Sequence, residues 1–388
     1  MIKVLKEAIR LCHRSKIPMF LWGHHGVGKS SIYSQVADEL GIGYVDFRAA
    51  QIEATDLRGY PKENEGRTIY CPPIELPVES PENSPEKIIE IMKKLNTYHK
   101  EGIIVFDELN RAQDPVIQAS FQLFVEGRIG TWIKPEGWSC MAAGNFGNSY
   151  NVNDFCQAFI GRFCHVVLSI DEEYLSEWAS HMLNKHGNDS ITQRVIQFVT
   201  SDITHISQNF NSDLGFIIQR SPRIWDQVIK MEKEAKNGYS EDAILIILNG
   251  LIGDMATTYR KATFEILPKD ILEKGEEALK GKKIDRSILS GLIHGIIALA
   301  ENYGKKIKKE QIANIMKFAA WMCDGNDADL AIVICQRLLI KTYGNFSTTI
   351  LSNPNMSAMI DKDPWITELM KCQKVQELVM KLFQESAK

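Results

Sequence analysis

The stretch that decides the fold of this chain is Gly23-His24-His25-Gly26-Val27-Gly28-Lys29-Ser30. It fits G-x-x-x-x-G-K-[ST], the pattern of a glycine loop that wraps a phosphate group. An apolar run, 17–22, precedes this loop, and a segment with helical spacing, 30–40, follows it. A strand, a glycine loop and a helix in this order predict a phosphate-binding turn at one edge of a parallel sheet.

Each part of this loop has its own predicted role. Glycines let the backbone approach an anion, and the amides of the loop and of the helix N-terminus supply hydrogen-bond donors. Lys29 is predicted to reach the β- and γ-phosphates, and the Ser30 hydroxyl to hold Mg²⁺. The predicted contacts run from Gly23 to Ser31 and include His24, His25, Gly26, Val27 and Gly28. A glycine-rich turn before an unrelated lysine is the alternative that the motif alone leaves open.

A second segment supplies the acidic half of the predicted site. Residues 101–108 form an apolar run that ends in Asp107 and Glu108. Buried parallel strands have this composition, and doubly wound sheets bind their ligands at the carboxyl ends of such strands. We expect Asp107 to hold Mg²⁺ together with Ser30, and Glu108 to orient or deprotonate an attacking water. The predicted function is therefore hydrolysis of a nucleotide that is bound with Mg²⁺.

Composition limits the other classes of function. The chain has 388 residues, of which 44% are hydrophobic, so two or three domains with sizeable cores are expected. Forty-five basic residues face forty-nine acidic ones, and the net charge of −4 argues against extensive binding of nucleic acid or anionic membrane. The first residues do not resemble a secretory signal, and the apolar stretch 291–300 is too short to span a bilayer. Eight cysteines without C-x-x-C pairs predict buried free thiols in a cytoplasmic protein.

The order of predicted elements indicates an α/β core followed by helices. Strand-like and helix-like segments alternate through 1–170, which predicts a parallel sheet flanked by helices. Residues 61–85 hold six of the thirteen prolines, so this segment is predicted to be a long loop. Beyond residue 171 the apolar residues recur at helical spacing, and we expect two helical parts, 171–232 and 233–388.

With these residues placed, the chain resembles the AAA+ ATPases, and in particular their MoxR-like and dynein-related (AAA_5) branch. The phrases that carry the resemblance are Glu-Ala-Thr-Asp-Leu-Arg-Gly-Tyr-Pro at 53–61, Phe-Asp-Glu-Leu-Asn-Arg-Ala at 106–112, Met-Ala-Ala-Gly-Asn at 141–145 and Ser-Pro-Arg at 221–223. The resemblance implies a P-loop NTPase core, a helical lid at 171–232 and a helical C-terminal extension. It also implies a homo-oligomeric ring, expected to be a hexamer.

Three further site residues follow from the resemblance. Asn145 matches sensor 1, whose amide can accept from the attacking water and donate to the γ-phosphate. Arg162 matches the arginine finger, which acts on the nucleotide of the neighbouring subunit. Arg223 matches sensor 2 of the lid, and Ser221 and Pro222 predict that it lies in the first turn of a helix. By residue type alone, Asn145 also suits a turn and Arg162 a surface position.

The resemblance to this branch also implies which partner such a ring acts on and which segments transmit the work to it. Its members often act with a von Willebrand factor A-type protein, so that kind of partner, or another protein client, is expected. The predicted hairpin at 128–138, with Trp132 and Trp138, and the loop at 61–85 resemble insertions that transmit work, and inert surface loops are an equal alternative. Arg111 has two open roles, a bridge to a neighbouring subunit and a support for the strand end.

The alternative function is a nucleic-acid motor or restriction subunit of the McrB-like branch, which the mild acidity of the chain disfavours.

Overall fold

The computed structural model describes residues 2–145, 155–211, 217–262, 265–282, 284–325, 327–335, 337–338 and 364–378. The chain divides into two units, Met1–Ser169 and Ile170–Lys388. Strands and helices alternate in the first unit, and helices dominate the second.

The first unit is built on a sheet of five parallel strands. The strands of the whole unit are β1 (Met19–Gly23), β2 (Gly43–Arg48), β3 (Tyr60–Asn64), β4 (Arg67–Cys71), β5 (Gly102–Asp107), β6 (Arg128–Ile129), β7 (Trp132–Ile133), β8 (Trp138–Gly144) and β9 (Cys164–Leu168). Its helices are α1 (Ile2–Ser15), α2 (Lys29–Leu40), α3 (Ala54–Arg58), α4 (Glu86–Lys94), α5 (Asp114–Glu126) and α6 (Gln157–Ile160). The sheet order is β2-β5-β8-β1-β9, while β3 with β4 and β6 with β7 form antiparallel hairpins. The predicted parallel sheet flanked by helices is confirmed.

One tryptophan packs at the amino ends of β2, β5 and β8. Trp138 is fully buried at the start of β8. A Cβ added to either Gly43 of β2 or Gly102 of β5 would lie 2.4 Å from the Trp138 ring. Trp132 is buried as well, and its Nε1 donates to the Pro77 carbonyl at 2.9 Å. The hairpin predicted at 128–138 is shorter, 128–133, and both indoles fill the core.

The proline-rich segment 61–85 is only partly the long loop that was predicted. Its first half belongs to the β3–β4 hairpin, in which every residue of both strands is exposed. Pro61 is tolerated there because a two-stranded ribbon has outer edges where a missing N–H leaves no ladder bond unmade. The remaining residues contain one short 3₁₀ helix, Pro81–Asn83.

The second unit is helical, as predicted. Its helices are α7 (Glu172–His186), α8 (Ser190–Ser201), α9 (Thr204–Ser207), α10 (Pro222–Ala235), α11 (Glu241–Ile252), α12 (Met255–Lys261), α13 (Pro268–Lys274), α14 (Arg286–Tyr303), α15 (Lys309–Asp324), α16 (Ala328–Cys335) and α17 (Pro364–Met370). A small hairpin joins β10 (Asn209–Asn211) and β11 (Ile217–Gln219). The buried helix α14 packs against both α7 and α8. Among these described helices, none combines the length and apolarity needed to cross a membrane.

The eight cysteines are all free thiols, but fewer are buried than predicted. Cys12, Cys140 and Cys335 are buried, and burial raises the pKa of both Cys140 and Cys335 to about 12. The exposed ones are Cys71, Cys156 and Cys164. The prediction of burial is wrong for these three, because short apolar runs at strand ends and turns do not guarantee a covered side chain.

Candidate functional site

The glycine loop between β1 and α2 adopts the backbone conformation that its sequence requires. Gly26 and Gly28 have φ angles of 77° and 94°, in the region where a side chain is disfavoured. At Gly23 space is the constraint, since a Cβ would lie 2.9 Å from the Leu168 carbonyl oxygen of β9. Helix α2 begins directly after Gly28, so its first amides face the loop. The result is a concave backbone surface that suits an anion.

Lys29 is buried at the base of this loop. Only 6% of the residue is exposed. Its Nζ donates to the carbonyl oxygens of Gly23, at 3.0 Å, and His24, at 2.9 Å, and to Asn145 Oδ1 at 2.6 Å. A buried ammonium needs such acceptors, because its desolvation is costly. These bonds hold the positive charge between the carboxyl ends of β1 and β8.

Ser30 and Asp107 meet beside the lysine. The Ser30 hydroxyl donates to Asp107 Oδ2 at 2.5 Å, and Asp107 Oδ1 accepts from the backbone N–H of Glu108 at 2.9 Å. Hydroxyl and carboxylate oxygens are the ligands that Mg²⁺ prefers. The donor set therefore fits the ion that the sequence predicts, with Ser30 and Asp107 as the residues that would hold it.

Asp46 is an acidic neighbour that the sequence analysis missed. Partial burial, and then the negative charge of Asp107, raise the pKa of Asp46 to about 6, while Arg48 acts in the opposite direction. The alternation of β2 places Asp46 and Arg48 on one face, and Arg48 pairs in register with Asp107 of β5. Negative charge is thus concentrated at the ends of β2 and β5, which favours a bound cation.

Glu108 follows Asp107 in a left-handed backbone conformation, with φ of 54°. Its Oε2 accepts from Arg111 Nη1 at 3.2 Å, and its Oε1 lies 3.9 Å from Nδ1 of His25 in the loop. A non-glycine residue in this region costs roughly 1 kcal/mol or more, and such residues cluster at functional sites. The turn therefore directs the carboxylate towards the loop. Arg111 supports it from within the same chain, in agreement with the second of its two predicted roles.

Asn145, the first residue after β8, is 1% exposed. Its Oδ1 is engaged by Lys29, so its Nδ2 is identified as the free end of the amide. In the described part of the chain, Nδ2 has no hydrogen-bond partner. Leaving a buried donor unpaired costs about 1–3 kcal/mol, which an incoming acceptor can recover. A phosphate oxygen is such an acceptor, so this orphaned donor fits a nucleotide.

Asn110 is a second residue that the sequence analysis did not single out. It is fully buried, and its side-chain amide bonds to the backbone of Asn145. The only sequence signal was its place in the phrase Phe-Asp-Glu-Leu-Asn-Arg-Ala, which gave it no role.

The remaining predicted residues are Ser31, Arg162 and Arg223. Ser31 is exposed in the first turn of α2 and accepts from Gln35. Arg162 is exposed after α6, and its guanidinium has no partner among the residues that the structure describes. Arg223 belongs to the second unit, where it is exposed as the second residue of α10. Ser221 occupies the N-cap position of that helix, but its side chain makes no capping bond.

Comparison with known proteins finds a family match within the first unit. Residues 19–120 match the family described as ATPase family associated with various cellular activities (AAA). No curated protein matches the sequence. Among solved structures, the NtrX protein of Brucella abortus in complex with ADP is 13% identical, with a TM-score of 0.38 over 85% of this chain and 68% of that one. The Thermotoga maritima RuvB Holliday junction branch migration motor is 12% identical, with a TM-score of 0.35 over 80% and 85%. The family match at 19–120 spans the glycine loop and the two acids after β5.

Proposed function

We propose that this chain binds ATP with Mg²⁺, hydrolyses the ATP, and works as one subunit of a MoxR-like AAA+ ring that remodels or activates a protein partner. One observation carries the proposal: Lys29, Ser30, Asp107 and Asn145 converge on the glycine loop through direct hydrogen bonds. A buried cation, an acidic metal-binding pair and an unpaired amide donor together match the charges of a magnesium-bound triphosphate.

The proposed chemistry assigns one task to each residue. Lys29 binds phosphate oxygens, and Ser30 and Asp107 would hold Mg²⁺, which would neutralise part of the phosphate charge. Glu108 accepts a proton from the attacking water, the water oxygen bonds to the γ-phosphorus, and ADP leaves. Asn145 Nδ2 donates to the transferred group, so its donor is satisfied only when that group is present.

An assay of Lys29→Ala tests this core of the proposal. The wild-type chain is expected to bind ATP and to hydrolyse it in the presence of Mg²⁺, and Lys29→Ala is expected to lose both activities. Lys87→Ala is the matched control, because Lys87 is an exposed residue of α4. Hydrolysis by Lys29→Ala at the wild-type rate would remove the glycine loop from the mechanism.

The ring is proposed because Arg162 is exposed on the first unit. An arginine that completes a neighbour's site must be accessible at the surface. If Arg162 acts on the next subunit, inactive Arg162→Ala and Lys29→Ala proteins should recover activity when mixed, since one supplies an intact site and the other an intact arginine. Light scattering with ATP should give the mass of a hexamer. A monomer of Arg162→Ala with full activity would refute the ring.

The second unit is proposed to couple nucleotide state to movement. In this proposal residues 171–232 form the lid, Arg223 acts as sensor 2 on the nucleotide of its own subunit, and 233–388 form a helical extension. The position of Arg223 in the first turn of α10 supports it, because that backbone is fixed by Pro222. Arg223→Ala should weaken ATP binding or slow hydrolysis, whereas Lys236→Ala, at the other end of α10, should do neither.

The two hairpins of the first unit are the proposed contact for the partner, either a von Willebrand factor A-type protein or another client. Tyr60 and Ile133 are 70% and 73% exposed, and Thr131 Oγ1 of the second hairpin donates to the Tyr70 carbonyl of the first at 3.1 Å. Large apolar side chains gathered at one surface mark protein contacts. The double variant Tyr60→Ser/Ile133→Ser should keep basal hydrolysis and lose partner capture, while Ile91→Ser on α4 should keep both. Loss of basal hydrolysis in the double variant would contradict a role in partner binding.

A further inference from the structure

Asn110 holds both backbone polar groups of Asn145. It lies in a short 3₁₀ helix, Leu109–Arg111, directly after Glu108, and it is 0% exposed. Its Nδ2 donates to the Asn145 carbonyl oxygen at 2.6 Å, and its Oδ1 accepts from the Asn145 N–H at 3.3 Å. A carboxamide is suited to this pair of bonds because it carries a donor and an acceptor side by side.

These two bonds satisfy the backbone groups of the first residue beyond the paired part of β8. Gly144 is the last residue of β8 that pairs with β1. The next residue, Asn145, therefore depends on Asn110 for its backbone bonds. Gly144 also makes room for this contact, since a Cβ there would lie 2.9 Å from Asn110 Oδ1 and 3.1 Å from its Cγ.

With its backbone held by Asn110 and its Oδ1 held by Lys29, the Asn145 carboxamide has one orientation, which leaves Nδ2 without a hydrogen-bond partner among the residues that the structure describes. We propose that Asn110 is a positioning residue for ATP hydrolysis, which acts by fixing the orientation of the Asn145 carboxamide. This inference rests on the proposed function of the site. Asn110 also shares its turn with Glu108, whose carbonyl accepts from the Arg111 N–H at 2.8 Å. One turn thus sets both the water-activating carboxylate and the amide that contacts the transferred group.

A double-mutant cycle between Asn110 and Asn145 separates this role from simple support of the fold. Asn110→Ala and Asn145→Ala are each expected to lower kcat by about tenfold to a hundredfold, the usual cost of losing an orienting partner. The dissociation constant for ADP should stay within about threefold of wild type, because ADP lacks the γ-phosphate. The double variant should be no slower than Asn145→Ala alone, since Asn110 acts only through Asn145. Multiplying losses in the double variant would overturn the proposal.

Two additions keep the test decisive. Asn110→Thr adds no charge at this buried position and can make one of the two bonds to the Asn145 backbone but not both, so it should show the kinetic loss even if the alanine variant does not fold. In protein labelled with ¹⁵N-asparagine, the side-chain amide signal of Asn145 should shift in Asn110→Thr and stay in place in Asn83→Ala, an exposed control. An unmoved signal would refute the positioning role. This readout needs no turnover, so a wild-type chain without ATPase activity would defeat the proposed function alone.

Discussion

Replacing Glu108 with glutamine should separate ATP binding from ATP hydrolysis. Glutamine keeps the shape of the side chain and an oxygen that can accept from Arg111 Nη1, which lies 3.2 Å from Glu108 Oε2. It removes the negative charge and the ability to take a proton from water. The residues assigned to phosphate and metal, Lys29, Ser30 and Asp107, are left as they are. We therefore expect Glu108→Gln to bind ATP as tightly as wild type and to hydrolyse it far more slowly.

The structure allows the two effects of this substitution to be compared. Side-chain exposures of 22% for Glu108 and 40% for Arg111 mark a partly solvated ion pair, which contributes only about 0–1 kcal/mol to stability. A positioned general base contributes about 10²–10⁴ in rate, which is roughly 3–5 kcal/mol of barrier at about 1.4 kcal/mol per tenfold change. The loss of rate should therefore exceed any loss of folding stability several times over.

Single-turnover hydrolysis of radiolabelled ATP, together with a binding isotherm, measures both quantities on one preparation. Glu90→Gln is the matched control, because Glu90 is an exposed glutamate of α4. Hydrolysis by Glu108→Gln within about threefold of the control would refute the role of Glu108, since a lost general base costs about a hundredfold or more. Weaker ATP binding with unchanged hydrolysis would contradict the assignment as well, because it would make Glu108 a binding residue.

Three further outcomes follow from the structure. Ser30→Ala should raise the Mg²⁺ concentration needed for half-maximal hydrolysis, because one proposed oxygen ligand is lost; an unchanged Mg²⁺ titration contradicts this. Trp138→Ala should lower the free energy of unfolding by about 3–5 kcal/mol in a urea titration, because a fully buried indole is removed. Burial, and then the charge of Lys16, lower the pKa of His13 below its usual 6.5, so its stabilising contribution is present above pH 6.5 and is lost as pH falls through the lowered value. His13→Gln should therefore flatten the fall in Tm between about pH 7 and pH 5, and an unaltered slope would refute this reading.

The parts of the site that sequence could predict are those encoded by neighbouring residues. The glycine loop, Asp107 and Glu108 each follow an apolar strand directly, so their place at the carboxyl edge of the sheet follows from local pattern alone. Asp46 and Asn110 were missed because their roles depend on strand register and on a contact across 35 residues of sequence. Neither relation leaves a periodic signal in a single sequence.

The burial of the two tryptophans likewise could not be predicted from the sequence alone. Trp138 stands beside a turn, where spacing alone does not distinguish an outward from an inward side chain. Its burial depends on Gly43 and Gly102, which leave space for the indole from two other strands. The space for the indole exists because two strands that are distant in sequence carry glycine there. Such a space cannot be recognised until the order of those strands is known.

If the site binds ATP as proposed, its hydrogen bonds predict which group distinguishes a triphosphate from a diphosphate. Lys29 is bonded to the Gly23 and His24 carbonyls, and Ser30 to Asp107, so each of these groups must exchange an existing bond for one to the ligand. Exchanged hydrogen bonds contribute little net free energy. Nδ2 of Asn145 has no bond to give up within the described chain, so a new acceptor there brings the full benefit of satisfying a buried donor. We therefore expect the sensing of the third phosphate to depend on this amide more than on the lysine, although the lysine carries the larger charge.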